Sequence, residues 1–111
     1  THRKLLILVK YIYKTVICPL DLSSKDSINM FVREVKKIFT QIDILINNAG
    51  MIVSKLYIAQ YFKCLKSLAV NYYCHFYLAH LLYLLICNSS DDRIIDVSSD
   101  DHRFAPKYLI K

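Results

Sequence analysis

Between Ser23 and Gln41, apolar residues recur at three- and four-residue steps with charged residues between them. This spacing places the apolar side chains on one face of a helix and the charged ones on the other. Ser23 and Asp26 have the spacing of a capping box, so the helix is predicted to begin there. We expect its buried face to contain Ile28, Phe31, Val32, Val35, Ile38 and Phe39.

Residues 42–46 and 93–97 are mostly apolar runs that stop abruptly at polar residues. Such runs are typical of strands in a parallel sheet that is covered on both faces. Residues 15–20 are predicted to form a third strand at an edge, because Pro19 lacks the N–H that a central strand needs.

Residues 58–87 are predicted to form a second, long helix that is apolar on most sides and lies between layers. Strands alternating with helices predict an α/β layered domain with a parallel sheet joined by right-handed crossovers. Residues 5–13 fit either a strand or a buried helix. We expect one stripe of this long helix to face the core. It contains Tyr61, Leu65, Leu68, Tyr72, Phe76, Ala79, Leu82 and Ile86.

Composition predicts one folded domain, because 111 residues with 55% hydrophobic and 22% charged content suit a single core. The chain has 1 glycine, where average usage would give roughly eight. It also begins at Thr1 rather than a methionine. We interpret the sequence as a piece of a larger protein or an incomplete gene model.

The net charge of +6 is spread among apolar residues rather than grouped in a stripe, which argues against a nucleic-acid partner. The 4 cysteines form no C-x-x-C pair and the 4 histidines no i, i+4 pair, so no metal site is expected. The cysteines are predicted to be reduced core thiols of an intracellular protein. Residues 76–87 are the most apolar stretch and are shorter than the roughly 20 residues that span a bilayer, so no transmembrane helix is expected.

Polar or small residues stand at the ends of the three predicted strands, where ligands bind to open parallel sheets. They are Asp21, residues 47–50, and Ser98 with Ser99, and Asn71 lies in the helix between the last two. Each alone could be a turn former. Their order and spacing together are more specific.

Four motifs resemble the short-chain dehydrogenase/reductase family, in its retinol-dehydrogenase-like and WW-domain-containing oxidoreductase-like branch. They are Leu-Asp-Leu-Ser-Ser at 20–24, Leu-Ile-Asn-Asn-Ala-Gly at 45–50, Val-Asn-x-x-x-His-Phe at 70–76 and Arg-Ile-Ile-Asp-Val-Ser-Ser at 93–99. The resemblance covers about residues 15–104. It implies a partial Rossmann domain over residues 1–111, a doubly wound parallel sheet without the N-terminal β-α-β unit and the C-terminal part.

The resemblance implies NADP or NAD as cofactor, with NADP slightly favoured, and a set of residues that would contact it. Two of them would border the adenine, and the asparagine, alanine and glycine of the second motif would line the adenosine side. Residues 47–50 could instead form only a tight turn. The cofactor-binding residues implied are Asp21, Leu22, Asn47, Ala49, Gly50 and Val97.

By the same resemblance, Ser99 would hydrogen-bond the substrate oxygen and Asn71 would hold a water in the proton relay. The alternative for Asn71 is an asparagine that bends the helix and bonds local backbone. Two residues depart from the family pattern: Cys74 replaces the usual glycine, and Asp96 replaces the commoner asparagine. An extra acid near the sheet would need a partner.

The family's glycine-rich loop has no counterpart in this sequence. Its Tyr-x-x-x-Lys pair has none either, since Tyr108 and Lys111 are three apart. We therefore expect an NAD(P)(H)-dependent oxidoreductase of an alcohol or carbonyl, such as a retinoid, steroid or other lipophilic substrate, that is inactive as this truncated chain. The alternative is a non-catalytic binding or scaffold remnant. The family is compatible with a homo-oligomer, and with a cytoplasmic or endoplasmic-reticulum location.

Overall fold

The computed structural model describes residues 15–52, 57–59, 61, 63–100 and 103. The prediction for residues 5–13 lies outside these ranges. Lys66–Cys87 form one continuous helix, here called the long helix. In chain order the elements are α1 (Lys25–Ile38), β1 (Ile44–Asn47), β2 (Ile58–Ala59), β3 (Cys64–Leu65), α2 (Lys66–Leu68), a π-helical turn (Ala69–Tyr73), α3 (Cys74–Cys87) and β4 (Arg93–Asp96).

Helix α1 begins one residue later than the capping-box pattern predicts. Ser24 is the N-cap, and its Oγ accepts a hydrogen bond from the Ser27 N–H at 3.3 Å. Ser23 instead donates its backbone N–H and its hydroxyl to the Asp21 carboxylate, at 2.8 and 2.7 Å. Ser23 is therefore part of the turn that precedes the helix, and Ser24 caps the N-terminus of α1.

The predicted buried face of α1 is confirmed over its first three turns. Ile28, Phe31, Val32 and Val35 are all buried. Ile38 was wrongly placed in the core and is 49% exposed, because the helix ends there and the chain turns away.

Strands β1 and β4 form a parallel pair in which Ile44 lies opposite Arg93 and Asn47 lies opposite Asp96. Leu45 is buried against the helices, whereas its neighbours in β1, Ile44 and Ile46, are 43% and 53% exposed. The prediction of a sheet covered on both faces is therefore wrong for the part of the chain that the structure describes. The helices cover one face.

Residues 15–20 were predicted to form an edge strand but have no regular secondary structure. A strand needs a neighbour that offers N–H and C=O groups along its edge. None of the strands in the described ranges pairs with this segment. Leu20 is nevertheless buried, so the segment still reaches the core.

The long helix begins at Lys66 rather than near residue 58, so the predicted start is wrong. Ile58 pairs with Leu65 in the short antiparallel hairpin β2–β3 that precedes it. Lys63, just before β3, has a φ of 48°, in the left-handed region that helices do not use. This turn joins β2 to β3, so the chain before Lys66 forms a hairpin and not the first turns of the helix.

The predicted core stripe of the long helix is wrong at most positions. Phe76 and Tyr72 are 69% and 61% exposed, although Leu82 and Ile86 are buried as expected. One cause is that the helix is apolar on all sides, so the spacing of its apolar residues does not identify the buried side. The other is that the π-helical turn changes the rotational position of the residues that follow it. One core joins α1, β1 and the long helix, and it consists of Leu20, Leu22, Ile28, Phe31, Val32, Val35, Leu45, Val70, Cys74, Leu78, Leu82, Leu85 and Ile86.

The long helix has 22 residues and a mean hydropathy of 1.2 in its most apolar window, enough by length and composition to cross a membrane. The expectation of no such helix used residues 76–87 alone and underestimated its length. The core helix of a soluble protein meets the same two conditions. Leu78 and Leu82 are fully buried in this core.

Candidate functional site

The carboxyl ends of β1 and β4 lie side by side, so Asn47 and Val97, two of the residues predicted for the cofactor cleft, meet at one edge. The Val97 N–H donates to the Asn47 carbonyl at 3.0 Å, continuing the ladder beyond the strands. The Asn47 Nδ2 donates to Asp96 Oδ1 at 2.7 Å. Asp96 thus has the partner that an acid at this position requires. Asn47 is 6% exposed, and among the described residues its Oδ1 has no hydrogen-bond partner.

Asn71 connects the long helix to the backbone that follows β1. Its Nδ2 donates to the Met51 carbonyl at 2.9 Å, and its Oδ1 accepts the Met51 N–H at 2.8 Å. The amide is therefore bonded to backbone 20 residues away in sequence, not to local backbone as the alternative supposed. It lies in the π-helical turn, a distortion frequent at functional sites. A role in a proton relay stays a prediction.

Gly50 lies between these contacts, close to the Asn71 side chain. A Cβ added at Gly50 would stand 3.6 Å from Asn71 Oδ1, an ordinary van der Waals contact, and the residue does not have a positive φ. The packing of this chain therefore does not by itself require glycine here.

His75 belongs to the same cluster and was not predicted as a site residue. Its Nε2 lies 2.6 Å from the Ala49 carbonyl oxygen, and the side chain is 7% exposed. Sequence reasoning considered histidines as metal ligands and counted His75 among the residues of a family motif, but gave it no role in the site. The available signal was a polar ring in an otherwise apolar stretch, four residues after Asn71.

Asp21 and Leu22 lie just before α1 and have different environments. The Asp21 carboxylate accepts hydrogen bonds from Ser23. Leu22 is 6% exposed and belongs to the core, so a contact with a dinucleotide would come chiefly from its backbone. The adenine-side role of both residues stays a prediction.

Cys74, which replaces the family's glycine, is 1% exposed and fills part of the core beside the site. The pKa of its thiol is raised to about 11, chiefly by burial and to a smaller extent by the nearby Cys64 and Asp21. Because the thiolate is the reactive form, Cys74 is inert near neutral pH. All 4 cysteines are free thiols, but of these Cys74 alone is buried, Cys18 and Cys64 are partly exposed and Cys87 is exposed.

Ser99 lies two residues beyond Val97, in the exposed stretch after β4. Val97 is 55% exposed at the same edge. The strand ends thus place Asn47 and Val97 in contact, and Ala49 and Gly50 beside His75 and Asn71. The catalytic role of Ser99 stays a prediction. No group of three potential metal ligands occurs in the described ranges.

Comparison with known proteins shows the family to which the chain belongs. The sequence pattern of the family described as short chain dehydrogenase matches residues 6–107. A WW domain-containing oxidoreductase of Drosophila melanogaster is 39% identical over 90 residues, which cover 78% of this chain and 20% of the relative. Short-chain dehydrogenase/reductase prx1 of Penicillium rubens is 34% identical over 95 residues, which cover 81% of this chain and 27% of the relative.

A solved structure described as a Pseudomonas aeruginosa RhlG/NADP active-site complex matches with a TM-score of 0.56 at 23% identity. The match covers 74% of this chain and 34% of that chain, and it shows the fold alone. The predicted partial Rossmann α/β fold is thereby confirmed. The chain spans only a fifth to about a quarter of the length of the two relatives. From the family pattern and these identities, the chain belongs to the short-chain dehydrogenase family.

Proposed function

We propose that this chain forms part of the dinucleotide cleft of an NAD(P)(H)-dependent oxidoreductase that moves hydride between nicotinamide and an alcohol or carbonyl. One observation carries the proposal. The parallel strands β1 and β4 end side by side, and Asn71 of the long helix holds the backbone that follows β1. Ligands of open parallel sheets bind beyond such strand ends.

NADP is the cofactor that we favour over NAD. The net charge of +6 attracts phosphates, and NADP carries one phosphate more. The substrate that we propose is a lipophilic alcohol or carbonyl, such as a retinoid or steroid. Calorimetric titration of the chain with NADPH and with NADH at equal ionic strength measures the preference directly.

Gly50→Ala separates ligand binding from folding. A Cβ there meets Asn71 at ordinary contact distance, so the free energy of unfolding should change by no more than about 0.5 kcal/mol. The same methyl group would occupy space beyond the strand end and weaken NADPH binding. Ser90→Ala, an exposed change outside the site, is the matched control and should bind NADPH as the original chain does. Absence of NADPH binding at millimolar concentration would contradict the proposed function.

Turnover requires groups that this chain does not contain, so we propose that it is inactive alone. None of its 9 tyrosines is followed by a lysine four residues later, and its 1 glycine cannot form a glycine-rich phosphate loop. The test is incubation with NADPH and retinal, with Ser99→Ala as the comparison and Ser98→Ala as the neighbouring control. Oxidation of NADPH above the Ser99→Ala level would refute the inactivity.

A non-catalytic docking role is the second candidate, favoured by the apolar surface of the long helix. Phe76 and Leu84 are 69% and 71% exposed. Exposed apolar surface of this kind is typical of interaction sites. Recovery of a stoichiometric partner, together with no thermal shift on adding NADPH, would favour docking over the oxidoreductase function.

An intracellular location is part of the same proposal. Its support is that all 4 cysteines are free thiols, the state that reducing compartments maintain. Fractionation of cells that express the tagged protein would distinguish cytosol from endoplasmic-reticulum membranes. Recovery in the secreted fraction would contradict the proposal.

A further inference from the structure

We propose that His75 is a positioning residue for the dinucleotide, because as the neutral Nε2–H tautomer it fixes the Ala49–Gly50 peptide at the end of β1. This inference rests on the proposed function, since it supposes that a dinucleotide binds beyond that strand. It concerns how the cleft is held in shape.

The hydrogen bond itself assigns the tautomer. The Nε2 of His75 lies 2.6 Å from the Ala49 carbonyl oxygen, which can only accept, so Nε2 carries the proton. The side chain is 7% exposed, and among the described residues its Nδ1 has no hydrogen-bond partner. A proton on Nδ1 as well would bury a second donor and a charge without an acceptor. The neutral ring with a bare Nδ1 is therefore the form that fits this site.

The same bond fixes the direction of a peptide group. In a trans peptide the C=O and the following N–H point in opposite directions, and the chain has no cis peptide bonds in its described part. With the Ala49 carbonyl directed at His75, the Gly50 N–H points away from the long helix. His75 thereby decides which edge of the peptide faces the helix and which faces the other way.

Asn71 cannot replace this function. Its two hydrogen bonds hold Met51, the residue after Gly50, and neither is made to the Ala49–Gly50 peptide. Glycine itself offers little resistance to rotation of its backbone, because it has no Cβ. A flipped peptide would present a carbonyl in place of an N–H to a ligand. The His75 bond thus restrains a peptide whose second residue is glycine.

Nitrogen-15 NMR of the histidine rings in the 111-residue chain tests the tautomer without any ligand. The expected spectrum at pH 7.5 shows His75 protonated at Nε2 and not at Nδ1. His80, on the exposed side of the same helix, serves as the internal reference. Protonation of His75 at Nδ1, alone or with Nε2, would overturn the proposal.

Three variants test the positioning role. His75→Phe keeps the ring and removes the donor, whereas His75→Gln keeps one donor and one acceptor. We expect His75→Phe to weaken NADPH binding roughly tenfold, the loss of about one hydrogen bond, and to speed amide exchange at residues 49–51. His75→Gln should restore binding to within about threefold of the original chain. His80→Phe, the matched control, should change neither measurement.

Failure of the positioning role and failure of the proposed function give different results. If the original chain binds NADPH and His75→Phe binds it equally well, the positioning role is refuted while the proposed function stands. If the original chain binds no NADPH, the proposed function fails, and His75 is reduced to a structural anchor. Equal weakening by His75→Phe and His75→Gln, with equal loss of stability, would show that ring packing rather than the hydrogen bond matters.

Discussion

Asn47 and Asp96 end adjacent parallel strands, and the Asn47 amide donates a hydrogen bond of 2.7 Å to the Asp96 carboxylate. The two residues are opposite each other in the ladder. A residue of the predicted cofactor cleft thus also helps to hold the register of the sheet. The departure of Asp96 from the family pattern is accommodated because a charged acceptor strengthens this bond.

We predict that Asn47→Ala lowers the free energy of unfolding by about 1–3 kcal/mol, because it removes a buried amide and its bond to a carboxylate. Asp96→Asn should cost less than about 1 kcal/mol, since a neutral amide oxygen can still accept. Urea denaturation at pH 7 measures both values. An Asn47→Ala cost no greater than that of Asp96→Asn would mean that the bond contributes nothing to the sheet.

The start of α1 provides a second prediction. Ser24→Ala should lower the free energy of unfolding by about 1 kcal/mol, because the Ser24 hydroxyl is the acceptor that caps the helix. Ser23→Ala is the neighbouring control and should cost less than Ser24→Ala, since its hydroxyl bonds Asp21 at the surface. The reverse order in a urea titration would place the cap at Ser23, as the sequence pattern suggested.

The sequence predicts helices and strands correctly where polar and apolar residues are clearly separated along the chain. Charged and apolar residues are segregated in α1, and β1 and β4 end at polar residues, so these three were found. The long helix is apolar on every side, and its buried face is chosen by packing against α1 and β1 rather than by periodicity. Residues 15–20 have strand-forming types, but a strand also needs a neighbouring strand.

The candidate site was predicted in part. The family motifs indicated Asn47 to Gly50 and Asn71, and the structure brings them together. His75 was missed because its partner is a backbone carbonyl 26 residues away, which no side-chain pattern encodes. The β1–β4 register that gives Asp96 its partner is likewise a product of pairing between distant segments.

Two leucines of α3 test the observed core directly. Leu78 is 0% exposed and Leu84 is 71% exposed. Leu78→Ala should lower the free energy of unfolding by about 2–5 kcal/mol through lost burial and a new cavity. Leu84→Ala makes the same chemical change at the surface and should cost less than about 0.5 kcal/mol. Similar costs for the two variants would contradict the face that the long helix presents to α1.

From the raised pKa of the Cys74 thiol, we predict that the free energy of unfolding decreases at alkaline pH. Burial raises its pKa from the ordinary 9.0 to about 11. Below pH 9 the thiol is protonated in both the folded and the unfolded chain, so its contribution to stability is complete. Above pH 9 the unfolded chain releases the proton while the folded chain retains it. The free energy of unfolding should therefore fall by about 1.4 kcal/mol per pH unit until pH reaches about 11.

Cys74→Ala isolates this effect, because every other titrating group is present in both proteins. At pH 8 the variant should be less stable by about 1 kcal/mol through lost packing. Between pH 8 and 11 the original chain should lose on the order of 2 kcal/mol more than the variant does. Urea denaturation across this range measures the difference. Parallel stability curves would mean that the buried thiol ionises as readily as one in water, which a side chain enclosed by the core should not do.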